Sequence, residues 1–361
     1  MHNKIFFDKK NNDTINLINN NKSTISEIMN QIISYTTLNK FFIQINKDKN
    51  VITKFLIKNK INSDLFFIII NEINNLKGKY NFIYCNEYKL FMILQLEDNV
   101  NKWEVLEKLT FYSPENGSKR HYETIRSQFQ RWCSKNIFKK ALDSIIPYNN
   151  VINNNVVDDF NNVNYNDELY VIDVIKDYFI DSTNTNNLRG SENIIINPEL
   201  KKKKITKITE ISDVDGFVVA VAFNQPLNKI IKYNFKNKEI HTAKHDSKCI
   251  EETLRNKNKN IEFNDICLIG DKGYKIKNNN EQYKVVTPNK KNQKKKLINR
   301  HDKEKIKFRH IVENSINGWK HKERINLRKD KKISTFSGWV FLSILNHNLR
   351  VNEIKKNILN N

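Results

Sequence analysis

The chain is poor in cysteine and has no long apolar run. Its four cysteines, Cys85, Cys133, Cys249 and Cys267, include no closely spaced pair. The sequence therefore offers neither a zinc knuckle nor a disulfide framework, which is typical of a reducing compartment. Its apolar runs, such as Leu65 to Ile70, are far shorter than the roughly 20 residues that span a bilayer. Since the N-terminus also lacks the apolar centre of a signal peptide, we expect a soluble intracellular protein with no membrane partner.

Acidic residues are the minority in this chain of 361 residues. Lysine and arginine number 62 against 40 aspartate and glutamate, which gives a formal net charge of +22. Such a surface favours a polyanionic partner, and nucleic acid is the first candidate. An AT-rich coding sequence also enriches lysine, but it adds uncharged asparagine as readily, so we expect the charge to be used. The length allows one large core with one or two smaller domains.

A short apolar run ends at a glycine that an aspartate follows. Ile266 to Ile269 are apolar and precede Gly270, a pattern that predicts a buried strand ending in a sharp bend. Asp271 then lies at the tip of the strand, where a rigid scaffold can hold an exposed metal ligand. Because an aspartate after a strand is also a common turn former or helix N-cap, this position alone leaves both interpretations open.

Asp181 is predicted to occupy an equivalent position. The segment from Tyr170 to Thr183 is a strand-forming run, and polar residues from Ser182 onward are expected to close it just after Asp181. Asp173 and Asp177 fall within or before that strand, so they are poorer candidates for a site at its end.

The third candidate acid, Glu313, lies on a predicted helix from Glu304 to Trp319. The apolar stripe of this helix consists of Phe308, Val312, Ile316 and Trp319. Arg309, Glu313 and Lys320 share a neighbouring face, because successive helical residues turn by about 100°. An acid between two cations can contact both a metal ion and a phosphate; the alternative is a solvated Arg309–Glu313 ion pair worth about 0.3–0.5 kcal/mol. Gly318 is expected to weaken the helix by about 1 kcal/mol and to end or bend it near Trp319.

Three carboxylates from distant parts of the sequence suggest one kind of chemistry. Two divalent ions about 3.5–4 Å apart can bind the attacking and leaving oxygens of an in-line displacement at phosphorus. Mg²⁺ prefers oxygen ligands, so we predict that Asp181, Asp271 and Glu313 hold two Mg²⁺ ions, for which Mn²⁺ can substitute. Without metal, carboxylates this close would repel one another and at least one would hold a proton.

The other elements of the C-terminal half alternate between strands and helices. Phe217 to Phe223 and Leu227 to Phe235 predict the two strands of a hairpin. Asp246 is expected to cap a helix that reaches about Arg255, and Tyr283 to Pro288 predicts a further strand. Asn186 to Lys204 is polar and is predicted to be mobile or to face DNA. This order is that of a ribonuclease H-like fold, an α/β class in which helices flank a mixed sheet.

The N-terminal part of the chain is predicted to be helical. Residues 1–80 show helical spacing from Ile25 to Ile33 and from Phe55 to Ile73, which predicts a helical extension of unknown role. Residues 81–146 contain two amphipathic stretches around a break at Ser113 to Gly117 and predict a helix-turn-helix DNA-binding module. Its candidate DNA contacts are Lys119, Arg120, Arg126 and Arg131. Any helical hairpin with large apolar anchors gives the same pattern. Residues 147–166 predict a linker, and 167–361 the ribonuclease H-like catalytic domain.

Three ordered blocks resemble the DDE transposases of bacterial insertion sequences, in particular the insertion sequence four/five superfamily. Phe179 to Thr183 is similar to the block with the first catalytic aspartate. Ile269 to Tyr274 resembles the second block, whose usual form is Ala-Asp-Lys-Gly-Tyr, and is the most specific short motif. The likeness extends from about Glu87 to Val351.

The third block of that family has a tyrosine, two residues, an arginine, three residues, a glutamate, six residues and a lysine. Arg309, Glu313 and Lys320 match this spacing, whereas Ile306 stands at the tyrosine position. The departure removes whatever the tyrosine contributes to holding DNA and leaves the expected metal ligands in place.

The resemblance implies a DNA transposase. Water would cleave a strand at the transposon end in a Mg²⁺-dependent reaction, and the freed 3′-hydroxyl would attack target DNA. Asp181 would bridge the two ions, with Asp271 and Glu313 each completing one. The residues expected to bind phosphates near the cut are Arg309, Lys320, Arg324 and Arg328. The implied partners are double-stranded DNA, as terminal repeats and target, and further copies of the chain in a dimer or higher oligomer. Such a protein works in the cytoplasm and nucleoid, or in a eukaryotic nucleus.

Two other functions remain open at the level of the sequence. A ribonuclease H-like nuclease or resolvase would use the same metal ions without strand transfer. A domesticated DNA-binding protein derived from a transposase would bind DNA with a silent catalytic site. The presence of all three acids argues against the loss of chemistry.

Overall fold

The computed structural model divides the chain into two compact units, residues 1–141 and 142–361. It describes residues 39, 41–43, 48–76, 85–99, 103, 121–148, 177–192, 194–197, 203–224, 230–232, 239–241, 245–261, 263, 265–276, 282–289 and 300–360. The predicted helical spacing at Ile25 to Ile33, the break at Ser113 to Gly117 and all but the first two residues of the predicted linker lie outside the described residues.

The first unit is helical where it is described. Its helices are α1 (Lys49–Lys58), α2 (Ser63–Asn74), α3 (Asn86–Asn99), α4 (His121–Ser134) and α5 (Ile137–Asp143), the last of which runs past the boundary of the unit. The Asp48 side chain accepts hydrogen bonds from the backbone of Asn50 and Val51, and Asn62 accepts one from Leu65. These N-caps satisfy amide groups that have no partner within α1 and α2. The helical prediction for Phe55 to Ile73 is confirmed in type, but the stretch is divided between α1 and α2, with a break at residues 59–62.

An aromatic core joins the helices on either side of residue 80. Phe55 of α1 and Phe91 of α3 have ring centroids 5.2 Å apart, and those of Phe42 and Phe66 are 6.1 Å apart. Residues of the predicted N-terminal extension and of the predicted DNA-binding module thus share one core. In α4, the apolar stripe is buried and consists of Tyr122, Ile125, Phe129 and Trp132. Of the two stretches predicted to form a helix-turn-helix, α4 is the one that the structure describes.

The second unit contains a mixed sheet with helices, so the α/β class is confirmed. Within its described residues the strands are β1 (Asp177–Asn187), β2 (Ile195–Asn197), β3 (Lys203–Ser212), β4 (Val218–Phe223), β5 (Ile230–Lys232), β6 (Glu239–His241), β7 (Ile266–Ile269), β8 (Tyr283–Val286) and β9 (Leu327–Arg328). The helices are α6 (Ile250–Arg255), α7 (Arg300–Lys307), α8 (His310–Lys320), α9 (Glu323–Asn326) and α10 (Ile333–Leu359), with short 3-10 turns at Asp246–Lys248 and Lys272–Tyr274.

Strand β1 is the centre of the main sheet. It pairs antiparallel with β3 over residues 179–186 and parallel with β7 over residues 177–179. β4 and β2 extend the sheet beyond β3, whereas β8 pairs parallel with β7 and β9 pairs with the end of β1. The small strands β5 and β6 pair with each other. Because β7 lies beside the first half of β1 alone, the second half is held on that side by β9.

The core of this unit lies under the sheet and against the long helix α10. Every residue of β7 is buried, as expected for a parallel strand with both faces covered. Asn348 of α10 ties the helix to β4, since its side chain accepts from the Val218 amide at 2.9 Å and donates to the Val218 carbonyl at 3.0 Å. Among the described residues, no helix has the length and apolar character needed to cross a membrane, and the four cysteines are free thiols.

Several predicted element boundaries are wrong. β1 does not close after Asp181 but continues to Asn187, because β3 pairs with it throughout. Within the described residues, the two strands predicted to form a hairpin around residues 224–226 do not pair with each other: β4 pairs with β3, and β5 pairs with β6. Parts of the segment Asn186 to Lys204, predicted to be mobile or to face DNA, belong to β1, β2 and β3.

The predicted helix from Glu304 to Trp319 is also divided in two. α7 ends at Lys307 and α8 begins at His310, so Phe308 lies in the turn and is 38% exposed instead of joining the buried stripe. The rest of that stripe is buried as predicted. The helix ends at Lys320, one residue after Trp319, as predicted for the neighbourhood of Gly318. A Cβ at Gly318 would lie 2.6 Å from the ring of His347. Close packing against α10 therefore accounts for the glycine.

Candidate functional site

Asp271 stands at the tip of β7, as the sequence predicts. The Gly270 amide donates to the Val286 carbonyl at 3.0 Å, and a Cβ at Gly270 would lie 2.9 Å from the ring of Tyr274. The chain can turn there because glycine leaves room for that ring. Asp271 Oδ1 accepts from the Gly273 amide at 2.6 Å and caps the following 3-10 turn. The capping role and the strand-tip position expected of a metal ligand are therefore both present.

Asp181 lies beside Asp271 on the neighbouring strand. Parallel pairing joins Phe179 to Ile269 and ends there, so Asp181 and Asp271 each lie two residues beyond the last pair of this ladder. On its other side, Asp181 pairs with Glu210 of β3. Asp181 is thus at the end of the β1–β7 ladder, although it is in the middle of the β1–β3 ladder.

The pKa of Asp181 is affected by both of the other predicted acids, Asp271 and Glu313. Burial is the largest effect and raises the pKa of Asp181 to about 6, while the Ser182 amide, which donates to Oδ1 at 2.7 Å, and the Arg309 guanidinium lower it. The negative charges of Asp271 and Glu313 raise the pKa further. Asp271, Arg309 and Glu313, which are remote from Asp181 in the sequence, therefore lie near enough to act on its carboxylate.

Helix α8 carries Glu313 to the site and is fastened to β1 and β3. Glu313 and Arg309 form an ion pair at 2.7 Å, with both side chains partly exposed. At the other end of the helix, Lys320 Nζ donates to the Thr183 hydroxyl at 2.5 Å and to the Asn184 carbonyl at 2.9 Å. The predicted shared face of Arg309, Glu313 and Lys320 is thus directed along β1 around Asp181.

The three carboxylates have the right chemistry to bind divalent cations, but their side chains are not arranged to bind one in this structure. Oxygen ligands from aspartate and glutamate are those that Mg²⁺ and Mn²⁺ prefer. As the side chains are placed, no group of three acidic, histidine or cysteine residues in the described part of the chain could hold one ion. Glu313 is turned toward Arg309. The donor set therefore fits two divalent ions provided that Glu313 exchanges its partner.

Glu210 is a site neighbour that the sequence analysis missed. Its side chain is 1% exposed and its pKa is raised to about 8, chiefly by burial and further by the charge of Asp181. Trp319 Nε1 donates to Oε2, and Trp319 is fully buried. The sequence pattern does not predict the strand that carries Glu210, because the isoleucines of β3 recur every three residues and do not alternate as in a strand.

Asp246 is a second correction near the site. It was predicted to cap a helix, but its side chain forms an ion pair with Lys207, whose side chain is 8% exposed. His245 occupies the N-cap position of the 3-10 turn instead. A Cβ at Gly273 would overlap Asp246 Oδ2 and lie 2.9 Å from Asp271 Oδ1, so the two carboxylates flank the same point of the backbone and glycine alone fits between them.

The predicted DNA contacts fall into three groups. Arg309 lies beside Glu313 and acts on Asp181, whereas Lys320 is bonded to Thr183 and Asn184 further along β1. Arg126 and Arg131 are exposed on α4. Lys119 and Arg120 lie outside the described residues. The remaining two, Arg324 and Arg328, are buried.

The burial of Arg324 and Arg328 is a correction to the predicted phosphate track. The Arg324 guanidinium lies 4.5 Å from the centre of the Trp339 ring. Arg328 is fully buried and donates to the Glu192 and Lys331 carbonyls at 2.7 and 3.0 Å. Both guanidinium groups brace the protein itself and are not presented to a phosphate.

Comparison of the chain with protein-family models, with curated proteins and with solved structures finds no match in any of the three. The function proposed below therefore depends on the three sequence blocks and on the geometry around Asp181.

Proposed function

We propose that the chain is a DNA transposase that cleaves strands at transposon ends and joins them to target DNA. The observation that carries the proposal is the effect of both Asp271 and Glu313 on the pKa of Asp181. The three acids come from separate blocks of the sequence, and Asp271 and Glu313 both lie close enough to Asp181 to raise its pKa. If the three blocks were chance matches, we would expect their acids to lie on unrelated surfaces.

The sheet supports a ribonuclease H-like catalytic domain. β4, β3 and β1 are successive antiparallel strands, and β7 and β8 follow on the other side of β1, each parallel to its neighbour. Helix α6 lies in sequence between β4 and β7, as a crossover to a parallel strand requires. Three antiparallel strands followed by two parallel strands are compatible with this fold, and Asp181 and Asp271 each follow the last pair of the β1–β7 ladder by two residues.

The acids would hold the metal ions, and the cations beside them would bind DNA. Asp181 lies between Asp271 and Glu313 in the proposed site and would contact both ions. When bound, a pair of divalent ions supplies a Lewis acid for the phosphate and an activated water or hydroxyl. Arg309 would bind a phosphate near the cut, and Lys320, which now donates to Thr183 and Asn184, would bind another.

Glu313 could serve as a metal ligand if Arg309, which now forms an ion pair with it, bound DNA instead. The Arg309–Glu313 ion pair is partly exposed on both sides, and such a pair contributes about 0–1 kcal/mol. A DNA phosphate is a strong bidentate acceptor for arginine. We infer that DNA takes over the guanidinium and releases Glu313 as a metal ligand, so that the site is completed when its substrate is present.

The first unit would supply further DNA contacts. Arg126 and Arg131 are exposed on α4, on the side away from the buried stripe of that helix. Lysine and arginine neutralise phosphates with a binding constant that falls steeply with salt. The transposase is proposed to act as a dimer or higher oligomer on double-stranded DNA.

The test is a strand-transfer assay. Labelled duplexes taken from the DNA that flanks the coding sequence are incubated with the full chain, a supercoiled target plasmid and Mg²⁺. Covalent joining of the labelled strand to the plasmid is the expected result. Cleavage without joining would instead favour a nuclease or resolvase, and binding without cleavage would favour a silent DNA-binding protein; either outcome overturns the proposal.

The variant Asp271→Asn tests the role of the acids. It keeps the Oδ1 atom that accepts from Gly273 and removes the charge, so we expect DNA binding to persist and cleavage to fall by at least about a hundredfold. Asp265→Asn is the matched control, because Asp265 is exposed and has a positive φ of 53° that asparagine also tolerates. Normal cleavage by Asp271→Asn in Mg²⁺ would exclude this site.

A further inference from the structure

A chain of hydroxyl groups lies on the face of the sheet opposite α8. The Tyr274 hydroxyl is 2.6 Å from Ser182 Oγ, which is 2.7 Å from Thr209 Oγ1. Thr209 in turn donates to Asn224 Oδ1 at 2.5 Å. Ser182 directly follows Asp181, and Tyr274 is three residues beyond Asp271. The chain therefore joins the two segments that carry the neighbouring acids.

The direction of these hydrogen bonds follows from proton counting. Each hydroxyl has one proton to donate. Since Thr209 gives its proton to Asn224, it must accept from Ser182, and Ser182 must then accept from Tyr274. Successive bonds that point the same way strengthen one another. Tyr274 is thus the first donor in a series of hydrogen bonds that all point the same way and end at Asn224, the residue after β4.

Tyr274 is held in place by packing as well as by this bond. Its side chain is fully buried, and its ring lies against Gly270, where a Cβ would meet both Tyr274 and Ile180 at about 3.0 Å. A buried hydroxyl without water must find its partner in the protein. The ring and the hydroxyl of Tyr274 together attach the turn that follows β7 to strand β1.

The distance between Asp181 and Asp271 is not set by backbone pairing between β1 and β7, so it depends on side-chain contacts. The β1–β7 ladder ends at Phe179 and Ile269, two residues before each aspartate. Beyond that point, the Tyr274–Ser182 bond connects the two segments across the gap. Metal affinity depends on groups that orient the ligands, and their removal typically weakens binding about 10–100-fold.

We propose that the Tyr274–Ser182 hydroxyl bridge is a positioning element that sets the spacing of Asp181 and Asp271 for divalent ion binding. The inference rests on the proposed function, because it assigns the bridge to that metal site. Tyr274 and Ser182 do not contact substrate; they act through the two aspartates. Phenylalanine at position 274 would fill the same space without the hydroxyl that bonds Ser182.

The test compares Tyr274→Phe with the wild type by titration of Mn²⁺ into the full chain, read by calorimetry and by the electron paramagnetic resonance signal of free Mn²⁺. We expect Mn²⁺ affinity to fall about tenfold. In the cleavage assay, the Mg²⁺ concentration for half-maximal rate should rise by a similar factor, with the rate at saturating Mg²⁺ changed less. A purely structural role would instead lower the unfolding midpoint and leave the metal dependence unchanged.

Ser182 provides the second half of the test. Ser182→Ala should reproduce the metal defect, Ser182→Thr should restore it by keeping a hydroxyl, and the double variant with Tyr274→Phe should be no worse than either single change. These variants also decide the question if Tyr274→Phe fails to fold. Tyr283→Phe, which removes the hydroxyl of another buried tyrosine in this core, is the matched control and should keep wild-type Mn²⁺ affinity.

The outcomes separate this inference from the proposed function. Wild-type Mn²⁺ affinity in both Tyr274→Phe and Ser182→Ala, with binding abolished in Asp271→Asn, would refute the bridge and leave the metal site standing. Equal Mn²⁺ binding by wild type and Asp271→Asn would refute the metal site, and the bridge with it.

Discussion

Asp213→Asn should make the stability of the second unit less dependent on pH. Asp213 opens the β3–β4 turn and is buried, and its Oδ1 accepts from the Asp215 and Phe217 amides, each at 2.9 Å. Burial raises the pKa of Asp213 to about 7, the charge of Asp215 adds to the rise, and the two amides offset part of it. Asparagine keeps an oxygen for both amides but has no proton to lose.

The sign of the effect follows from proton linkage. The folded protein holds the Asp213 proton more tightly than the unfolded chain does, so ionisation favours unfolding. Stability is lost as pH rises from the ordinary value of 3.8 toward about 7. At about 1.36 kcal/mol per pKa unit, the full cost is on the order of 4 kcal/mol. The stability of Asp213→Asn relative to the wild type should therefore rise by up to about that amount between about pH 4 and about pH 8.

The measurement is urea unfolding followed by tryptophan fluorescence across that pH range, since Trp319 and Trp339 are both buried in this unit. Asp265→Asn, which removes an exposed carboxylate, is the control. A difference between Asp213→Asn and the wild type that stays constant with pH would refute the reasoning, because it would mean that Asp213 has the same proton affinity in the folded and unfolded states.

Three further changes test how the site is held. Lys305→Met removes a cation that lies 2.6 Å from the buried Asp177 carboxylate and should cost about 3–5 kcal/mol of unfolding free energy. Asp177→Asn should return most of this loss in the double variant, and an additive double variant would contradict the reasoning. Gly318→Ala should destabilise α8 against α10 by about 1–3 kcal/mol despite the better helix propensity of alanine, because its Cβ would meet the ring of His347; a gain in thermal midpoint would show that the ring yields freely. Arg328→Lys should lower stability with little change in the salt dependence of DNA binding, since this guanidinium braces backbone carbonyls; a shallower salt slope would restore Arg328 to the phosphate contacts.

Local patterns in the sequence predicted the parts of the site that depend on near neighbours. The apolar run before Gly270 predicted β7, and the spacing of Val312, Ile316 and Trp319 predicted the buried face of α8. The same spacing placed Arg309 near Glu313, and the partly exposed ion pair that they form is the alternative that the sequence offered to a metal ligand. Periodicity is sufficient here because burial of one face of a strand or helix is decided within a few residues.

Errors arose where partners come from elsewhere in the chain. The sequence could not indicate that β3 pairs with the whole of β1 and carries it past Asp181. It likewise gave no sign that Phe308 would lie in a turn, or that Asp246 would bond Lys207 rather than cap a helix. Each of these depends on which segment lies opposite, and strand register and long-range ion pairs leave no period in the residues themselves.

Composition and spacing alone thus determined the positive charge, the helical first unit, the α/β class of the second and the three acids, because these follow from residue chemistry and local geometry. Tertiary structure decided that those acids act on one another, that Arg324 and Arg328 face inward, and that Glu210 and the hydroxyl chain of Tyr274 lie beside Asp181. The physical reason is that burial and proximity are properties of packed surfaces, which exist once distant segments have met.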